Sequence, residues 1–401
     1  MRPIAGARSF GATALLLALL VAAAPGCASG PPARAPADGD RGEELLDASS
    51  PQDRVGDQEM PPGDGREPDT QDARSDARSR EIPGPDPGVV PADVPDVADP
   101  EVMSLDAIPP ADIDADAPPP FPPPMPVGCV TDVSAGLHHV PCDGLSYEVS
   151  VPAACLSAPC GLILDIHGLT MSGDQQDNNT NLRALGEIHG CIVVQPNANP
   201  PPPLSSWVTG TDDQKILLFL AAVELAWHVD PKRVHVTGFS QGGLMSWRFV
   251  CSQSERFASA AIGGACTYPT QEACAFAGAA MPTRRIPILY MHGKDDTFFL
   301  WAAAEAQRDA VLAAWDMDPV ETISADAHHD WTRYSGPEGA WFEFLWHDYQ
   351  ATPDVLQGHC YPGSDDPGDE PGQLFSFACT GVSAFVWGEA VMGFFLAHPM
   401  P

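Results

Sequence analysis

Positive charge is scarce in this sequence: 20 lysines and arginines stand against 54 aspartates and glutamates, a formal net charge of -34. Nucleic-acid surfaces need clustered Lys and Arg, so no nucleic-acid partner is expected and polyanionic substrates are disfavoured. No Cys-x-x-Cys pair occurs, which argues against a structural zinc site. No apolar run reaches the roughly 20 residues that a membrane span needs. Between residues 28 and 126 there is a single aromatic residue, Phe121, among 22 prolines, 23 acidic residues and seven arginines. Such a segment has nothing to bury against the entropy cost of ordering, and its charges repel one another. Residues 28–126 therefore read as a disordered, extended linker.

The first 27 residues have a different texture. Arg2 and Arg8 precede a short apolar stretch over residues 12–24, the pattern of an export signal. The following "AAAPGC" is similar to a bacterial lipoprotein processing site, which implies Cys27 as a lipidated first residue of the mature chain; cleavage nearby and release is the alternative. Two or more acyl chains, at about 0.8 kcal/mol per buried methylene, hold a protein stably on a membrane. Membrane contact is expected through that anchor alone, with a flexible tether reaching on the order of 55 Å. The expected location is extracellular or at the cell surface, as an outer-membrane lipoprotein. Ten further cysteines lie in a chain addressed to an oxidising compartment, which points to about five disulfides. Proximity in sequence pairs Cys129 with Cys142, Cys155 with Cys160, Cys266 with Cys274 and Cys360 with Cys379, leaving Cys191 for Cys251.

Residues 127–401 carry the tryptophans and the long apolar runs, enough for one α/β domain that buries about three quarters of its unfolded surface. Apolar runs bounded by turn residues recur at 160–168, 191–197, 233–240, 257–264 and 286–293. Their near-continuous hydrophobicity suits strands buried on both faces. Helical patterns fall between them at about 212–227, 242–252 and 300–315. That alternation predicts a mostly parallel sheet with helices on both faces. Residues 145–152 read as an antiparallel edge strand, 340–349 as a last strand and 381–399 as a closing helix. Residues 264–285, with two cysteines, read as a stapled loop over the sheet.

"GFSQG", Gly238 to Gly242, fits the nucleophile-elbow pattern G-x-S-x-G, with a predicted strand before it and a predicted helix after it. A strand reversing directly into a helix leaves no room for Cβ atoms beside the serine, and the tight turn pushes Oγ of Ser240 outward. The helix also aims its first amides, beginning with Gln241, at the place where an oxyanion would form. A serine hydroxyl needs a histidine base and an acid to orient it, arriving in this fold type in the order Ser, acid, His. Asp295 and Asp296 follow the strand "ILYMHG", and His359 lies in the loop "LQGHCYPG", in that order. The loop after the first buried strand supplies the second oxyanion amide, for which Leu169 is the first choice and Thr170 the second. His328, His329 and Asp330 read as a solvated loop. His167 and His292 end strands, His292 in a packing role. Trp207 and Trp331 suit either aromatic contact with substrate or core and rim packing. None of this chemistry calls for a cofactor.

The motifs "YEVSVPAAC", "LDIHG", "DDQKILLFLAAVE", "VDPKRVHVTGFSQGGLMSWRF", "RFASAAIGG", "IPILYMHGKDD", "GHCYPG" and "FFLAHP" occur in this order between Tyr147 and Pro399. Over that span the chain resembles the secreted α/β-hydrolase esterases that include polyhydroxybutyrate depolymerases and feruloyl esterases. The resemblance implies an α/β-hydrolase fold, Ser240 as nucleophile and His359 as base. The family's spacing of a glycine, two residues and the acid selects Asp296 over Asp295. Tyr361 stands where family members carry tryptophan. The substrate implied is a polyester of the poly(3-hydroxybutyrate) type or its oligomers. A feruloyl or acetyl-xylan ester of plant polysaccharide is the alternative, and a non-catalytic surface protein on a hydrolase scaffold is the rival of another class.

Overall fold

A computed structural model describes residues 121–267, 282–374 and 376–401. The expected signal segment with Cys27, nearly all of the linker, and Cys274 lie outside the described residues.

The runs of β-branched and aliphatic residues form the strands expected of them. In chain order the strands are β1 (Gly136–Cys142), β2 (Leu145–Val151), β3 (Gly161–Ile166), β4 (Cys191–Asn197), β5 (Val234–Phe239), β6 (Ser259–Gly263), β7 (Ile288–Gly293), β8 (Asp318–Ala325), β9 (His329–Ser335) and β10 (Trp341–His347). The helices are α1 (Gly173–Thr180), α2 (Leu182–His189), α3 (Thr211–Ala226), α4 (Gln241–Ser252), α5 (Trp301–Trp315) and α6 (Trp387–Ala397). One ten-stranded sheet runs β1-β2-β4-β3-β5-β6-β7-β10-β9-β8. Its centre, β4 to β10, is parallel; β1, β2, β8 and β9 are antiparallel flanks.

Alternate residues of each central strand face opposite layers, because side chains along a strand point up and down in turn. Leu162, Leu164, Ile192, Val194, Val234 and Val236 pack with α3, α4 and α5 on one side. Ile163, Val193, Leu289, Met291 and Leu345 pack with α2 and α6 on the other. From β3 the chain crosses to β4 on one side and then to β5 on the other, so the order reverses between β3 and β5. Open α/β sheets bind ligands at the carboxyl ends of the strands at such a switch point. The loops after β3 and β5 are those that hold Leu169 and Ser240.

Several expectations need correcting. Strand β2 is antiparallel but not an edge, since β1 covers it through a seven-residue register. Strand β10 is the last in the chain, as expected, but the β8–β9 hairpin lies beyond it in the sheet. His328 is exposed, but His329 begins β9 and is buried, so only the first belongs to a solvated loop. Phe121, read as part of the linker, packs edge-on against His228 at 5.7 Å, and Met125 donates its N–H to the Ala226 carbonyl.

Cys129–Cys142, Cys155–Cys160 and Cys360–Cys379 are bridged as expected. Cys191 is a buried free thiol, so the Cys191–Cys251 pairing is not made. The reason is geometric: Cys191 packs in the layer of α2 and α6, whereas Cys251, on α4, packs in the opposite layer. Cys251 and Cys266 are both disulfide-bonded, while Cys274 lies outside the described residues.

Candidate active site

Ser240 occupies the junction between β5 and α4 with φ 56° and ψ -121°. A non-glycine residue at positive φ is costly and persists only where its surroundings hold it. Here its N–H donates to the Gly263 carbonyl at 3.0 Å, and its carbonyl accepts from Leu244 as α4 begins. The flanking glycines are dictated by approach. A Cβ on Gly242 would lie 2.0 Å from the Ile166 carbonyl oxygen, and one on Gly238 would lie 2.6 Å from the Gly242 carbonyl carbon. Close packing of the elbow against β3 and its projection of Ser240 are therefore one requirement.

His359 is buried in a cage of rings, with Phe239 at 4.6 Å, Phe298 at 5.0 Å and Phe299 at 5.9 Å between centroids. Its Nδ1 lies 2.7 Å from Oδ2 of Asp296, while Oδ1 of Asp296 accepts the N–H groups of Phe298 at 2.8 Å and Phe299 at 2.9 Å. Burial pushes the Asp296 carboxyl up, but His359, His292 and the donated hydrogen bonds outweigh it and hold the group below the usual carboxylate range. Asp295 points elsewhere, accepting from Gln350 Nε2 at 2.8 Å near the surface. The two loops are locked by their backbones: Asp296 bridges Gln357, and the Gly358 N–H donates to the Asp295 carbonyl. The His359 ring reaches the strand ends beside Ser240, since a Cβ on Gly264 would lie 3.2 Å from its Cε1. Among the described residues no hydrogen bond joins Ser240 Oγ to His359 Nε2. Such bonds are often long without substrate and tighten in the complex.

The loop after β3 lies against the elbow, with a Cβ on Gly168 falling 3.1 Å from that of Ser240. Its two candidate amides separate cleanly. Thr170, at φ 68°, donates its N–H to the Ser205 carbonyl at 2.9 Å, whereas among the described residues the Leu169 N–H has no such partner. His167 braces this loop: Nδ1 bonds the Gly168 carbonyl at 2.7 Å and Nε2 accepts the Ala198 N–H at 3.1 Å. That pattern needs the neutral ring, and burial lowers the His167 pKa to about 4. Trp207 serves the same loop, donating Nε1–H to the His167 carbonyl, and is core rather than substrate platform. Trp331 bonds Glu343 from β9. The Gln241 side chain clamps Trp207, accepting its N–H at 3.0 Å, and donates to the Ser206 hydroxyl at 3.1 Å.

His292 is buried and bonds the Phe299 carbonyl, a packing role. Among the described residues the one metal-like grouping is His347, Cys360 and Cys379, and its two sulfurs are bonded to each other. An open groove of about 730 Å³ adjoins the loop after β3 at Ser172 and is lined by Pro141, Asp143, Asn199 and Pro201. Sequence reasoning missed Asp165, Gln176 and the other buried polar side chains beneath the site.

A mostly parallel sheet, helices on both faces and a serine on a strand-to-helix elbow define an α/β hydrolase. Residues 214–334 match the family described as Phospholipase/Carboxylesterase. A bifunctional acetylxylan esterase/xylanase of Neocallimastix patriciarum is 28% identical over 156 residues, which is 38% of this chain and 22% of that protein. Feruloyl esterase B of Piromyces equi is 25% identical over 152 residues, 36% of this chain and 28% of that protein. The chain thus spans about a quarter of the length of these relatives. The solved acetyl xylan esterase from Aspergillus awamori is 19% identical, with a TM-score of 0.43 over 53% of this chain and 93% of that one. The chain has the α/β-hydrolase fold and is similar in sequence to esterases.

Proposed function

We propose that this chain is an exported serine esterase that cleaves carboxylic esters through an acyl-enzyme. Ser240 attacks the ester carbonyl; His359 takes its proton and returns it to the leaving alcohol. Asp296 holds His359 in the tautomer whose Nε2 is free to act and stabilises the imidazolium that forms. The amides of Gln241 and Leu169 receive the oxyanion, each worth on the order of 3 kcal/mol in the transition state. Water then clears the acyl group by the same path reversed. The observation that carries the reading is the 2.7 Å bond between His359 and Asp296, made beside a serine held at positive φ.

Acetyl or feruloyl esters of plant polysaccharide are the substrates favoured by what the two relatives are named for. Polyhydroxybutyrate-type oligomers are the second reading, resting on the sequence motifs. The disulfides Cys129–Cys142, Cys155–Cys160 and Cys360–Cys379, with Cys251 and Cys266 also bonded, fit an oxidising, extracellular location, and Cys27 is the proposed lipid anchor. No helix among the described residues is long and apolar enough to cross a membrane. Turnover of acetylated xylan, methyl ferulate, a hydroxybutyrate oligomer and 4-nitrophenyl acetate tests the function. Hydrolysis of the first two above the third is expected; hydrolysis of none would overturn the esterase reading and favour a non-catalytic role.

A further inference from the structure

Helix α1, "GDQQDNNT", has no aliphatic or aromatic residue, yet Gln175, Gln176, Asn179 and Thr180 are buried. Buried polar side chains need partners, and three residues of this helix find theirs in one segment that follows His359. Gln176 Oε1 accepts the Tyr361 hydroxyl at 2.6 Å. Asn179 donates to Asp366 at 3.2 Å and accepts from Ser364 at 2.8 Å; Asn178 donates to Glu370 at 3.1 Å. Beneath the helix, Asp165 of β3 accepts from Gln176 Nε2 at 2.6 Å, Thr180 Oγ1 at 3.0 Å and Gln195 Nε2 at 2.8 Å.

While Asp165 is ionised it can only accept, so it turns the Gln176 amide with Nε2 toward itself and Oε1 outward, and Tyr361 donates. Tyr361 follows His359 by two residues. Its ring stacks on Phe239 at 4.0 Å, and Phe239 both precedes Ser240 and touches His359. The path therefore runs from the middle of the sheet to the wall between the base and the nucleophile.

We propose that Asp165, acting through Gln176 and Tyr361, is a positioning residue that sets the His359 ring over Ser240. The inference rests on the esterase reading above. Misplacement of a catalytic group by about 1 Å costs on the order of 100-fold in rate, so partial loosening of this strut should be visible in kcat while KM is left alone. A glutamate at 176 supplies the discriminating test. Protonated, it can donate to Asp165 and accept from Tyr361 as glutamine does; ionised, it can still accept from Tyr361 but can no longer donate to Asp165 and repels it. The other charged or titratable groups around the path are Asp177 of α1, Arg183 of α2 and Asp366 of the base loop.

The experiment compares wild type, Tyr361→Phe, Gln176→Leu and Gln176→Glu in 4-nitrophenyl acetate turnover across pH 5 to 9, with melting curves to establish folding. Tyr361→Phe removes one oxygen and serves if the substitutions at 176 do not fold. The expected result is a fall in kcat of about tenfold for Tyr361→Phe and Gln176→Leu with KM within about twofold. For Gln176→Glu the activity relative to wild type should decline as pH rises. Wild-type kcat in both Tyr361→Phe and Gln176→Leu, or a Gln176→Glu ratio that does not change with pH, would overturn the inference. Inactive wild type would instead overturn the esterase reading, so the two failures are distinct.

Discussion

Replacing Asp296 by asparagine perturbs the candidate site with least change of shape. The carboxylate accepts three hydrogen bonds: two from the Phe298 and Phe299 amides on Oδ1, and one from His359 on Oδ2. Asparagine can keep its oxygen on the two backbone amides, which then aims its NH2 at His359 Nδ1. Two donors cannot face each other, so the imidazole must carry its proton on Nε2, where it can no longer accept the Ser240 proton. The opposite amide orientation sets NH2 against two backbone N–H groups and is worse. A wrong-tautomer histidine costs about 10⁴ in kcat, or about 5 kcal/mol of transition-state stabilisation. The folded state loses far less, about 1 to 3 kcal/mol for one altered buried partnership. Measuring kcat on 4-nitrophenyl acetate beside a thermal melt separates the two. A folded Asp296→Asn protein within tenfold of wild type would refute the tautomer argument. Asp295→Asn, where the side chain bonds Gln350 rather than His359, should stay within about twofold.

Gly242→Ala should fail structurally, because its Cβ would fall 2.0 Å from a backbone oxygen of β3 that cannot rotate away. We expect a loss of about 3 kcal/mol or more, a melting point lower by roughly 5 to 10 °C, and no turnover; an unchanged melt would contradict the elbow packing. Stability should also depend on pH with a definite sign. Burial lowers His167 to about 4 and His235 and His347 to about 3. Their folded values lie below the unfolded value near 6.5, so their contribution is full above that pH and is lost as pH falls toward 4 and 3. Burial raises Asp165 to about 7, which acts oppositely, losing stability as pH rises from about 4 to 7. His398, lowered to about 4, and His292, also lowered, act with these three rings and together outnumber the raised carboxyls Asp165, Asp177 and Glu224, so unfolding takes up protons as pH falls below about 6. Melting points should therefore drop on acidification, and a flat profile over that range would contradict the burial of these rings.

The parallel core was legible because strands buried on both faces leave an unbroken apolar signature, as "GLILDI" and "CIVVQPN" do. The elbow was legible because two glycines, a strand and a helix coincide there. Helix α1 was not, since every one of its residues is polar and its partners lie some 185 residues downstream, at Tyr361 and Ser364. Nor was the β8–β9 hairpin, whose first strand is exposed along most of its length and shows no apolar alternation. The Cys191 pairing failed because spacing along the chain says nothing about which side of a sheet a sulfur faces. The choice of Asp296 over Asp295 rests on the spacing that the resemblance implies, while the contacts that separate the two, to His359 and Gln357, are long-range. Asp165 went unnoticed because one acidic residue in an apolar strand shows its role only when its three donors are in place.

The central claim is that Ser240 is a nucleophile activated by its neighbours. A fluorophosphonate probe followed by peptide mapping tests it without knowledge of the substrate. The account expects wild-type protein to be labelled on Ser240, Ser240→Ala to be unlabelled, and Asp296→Asn to label far more slowly. Folded wild-type protein that takes up no probe, or Ser240→Ala labelled as well as wild type, would contradict it.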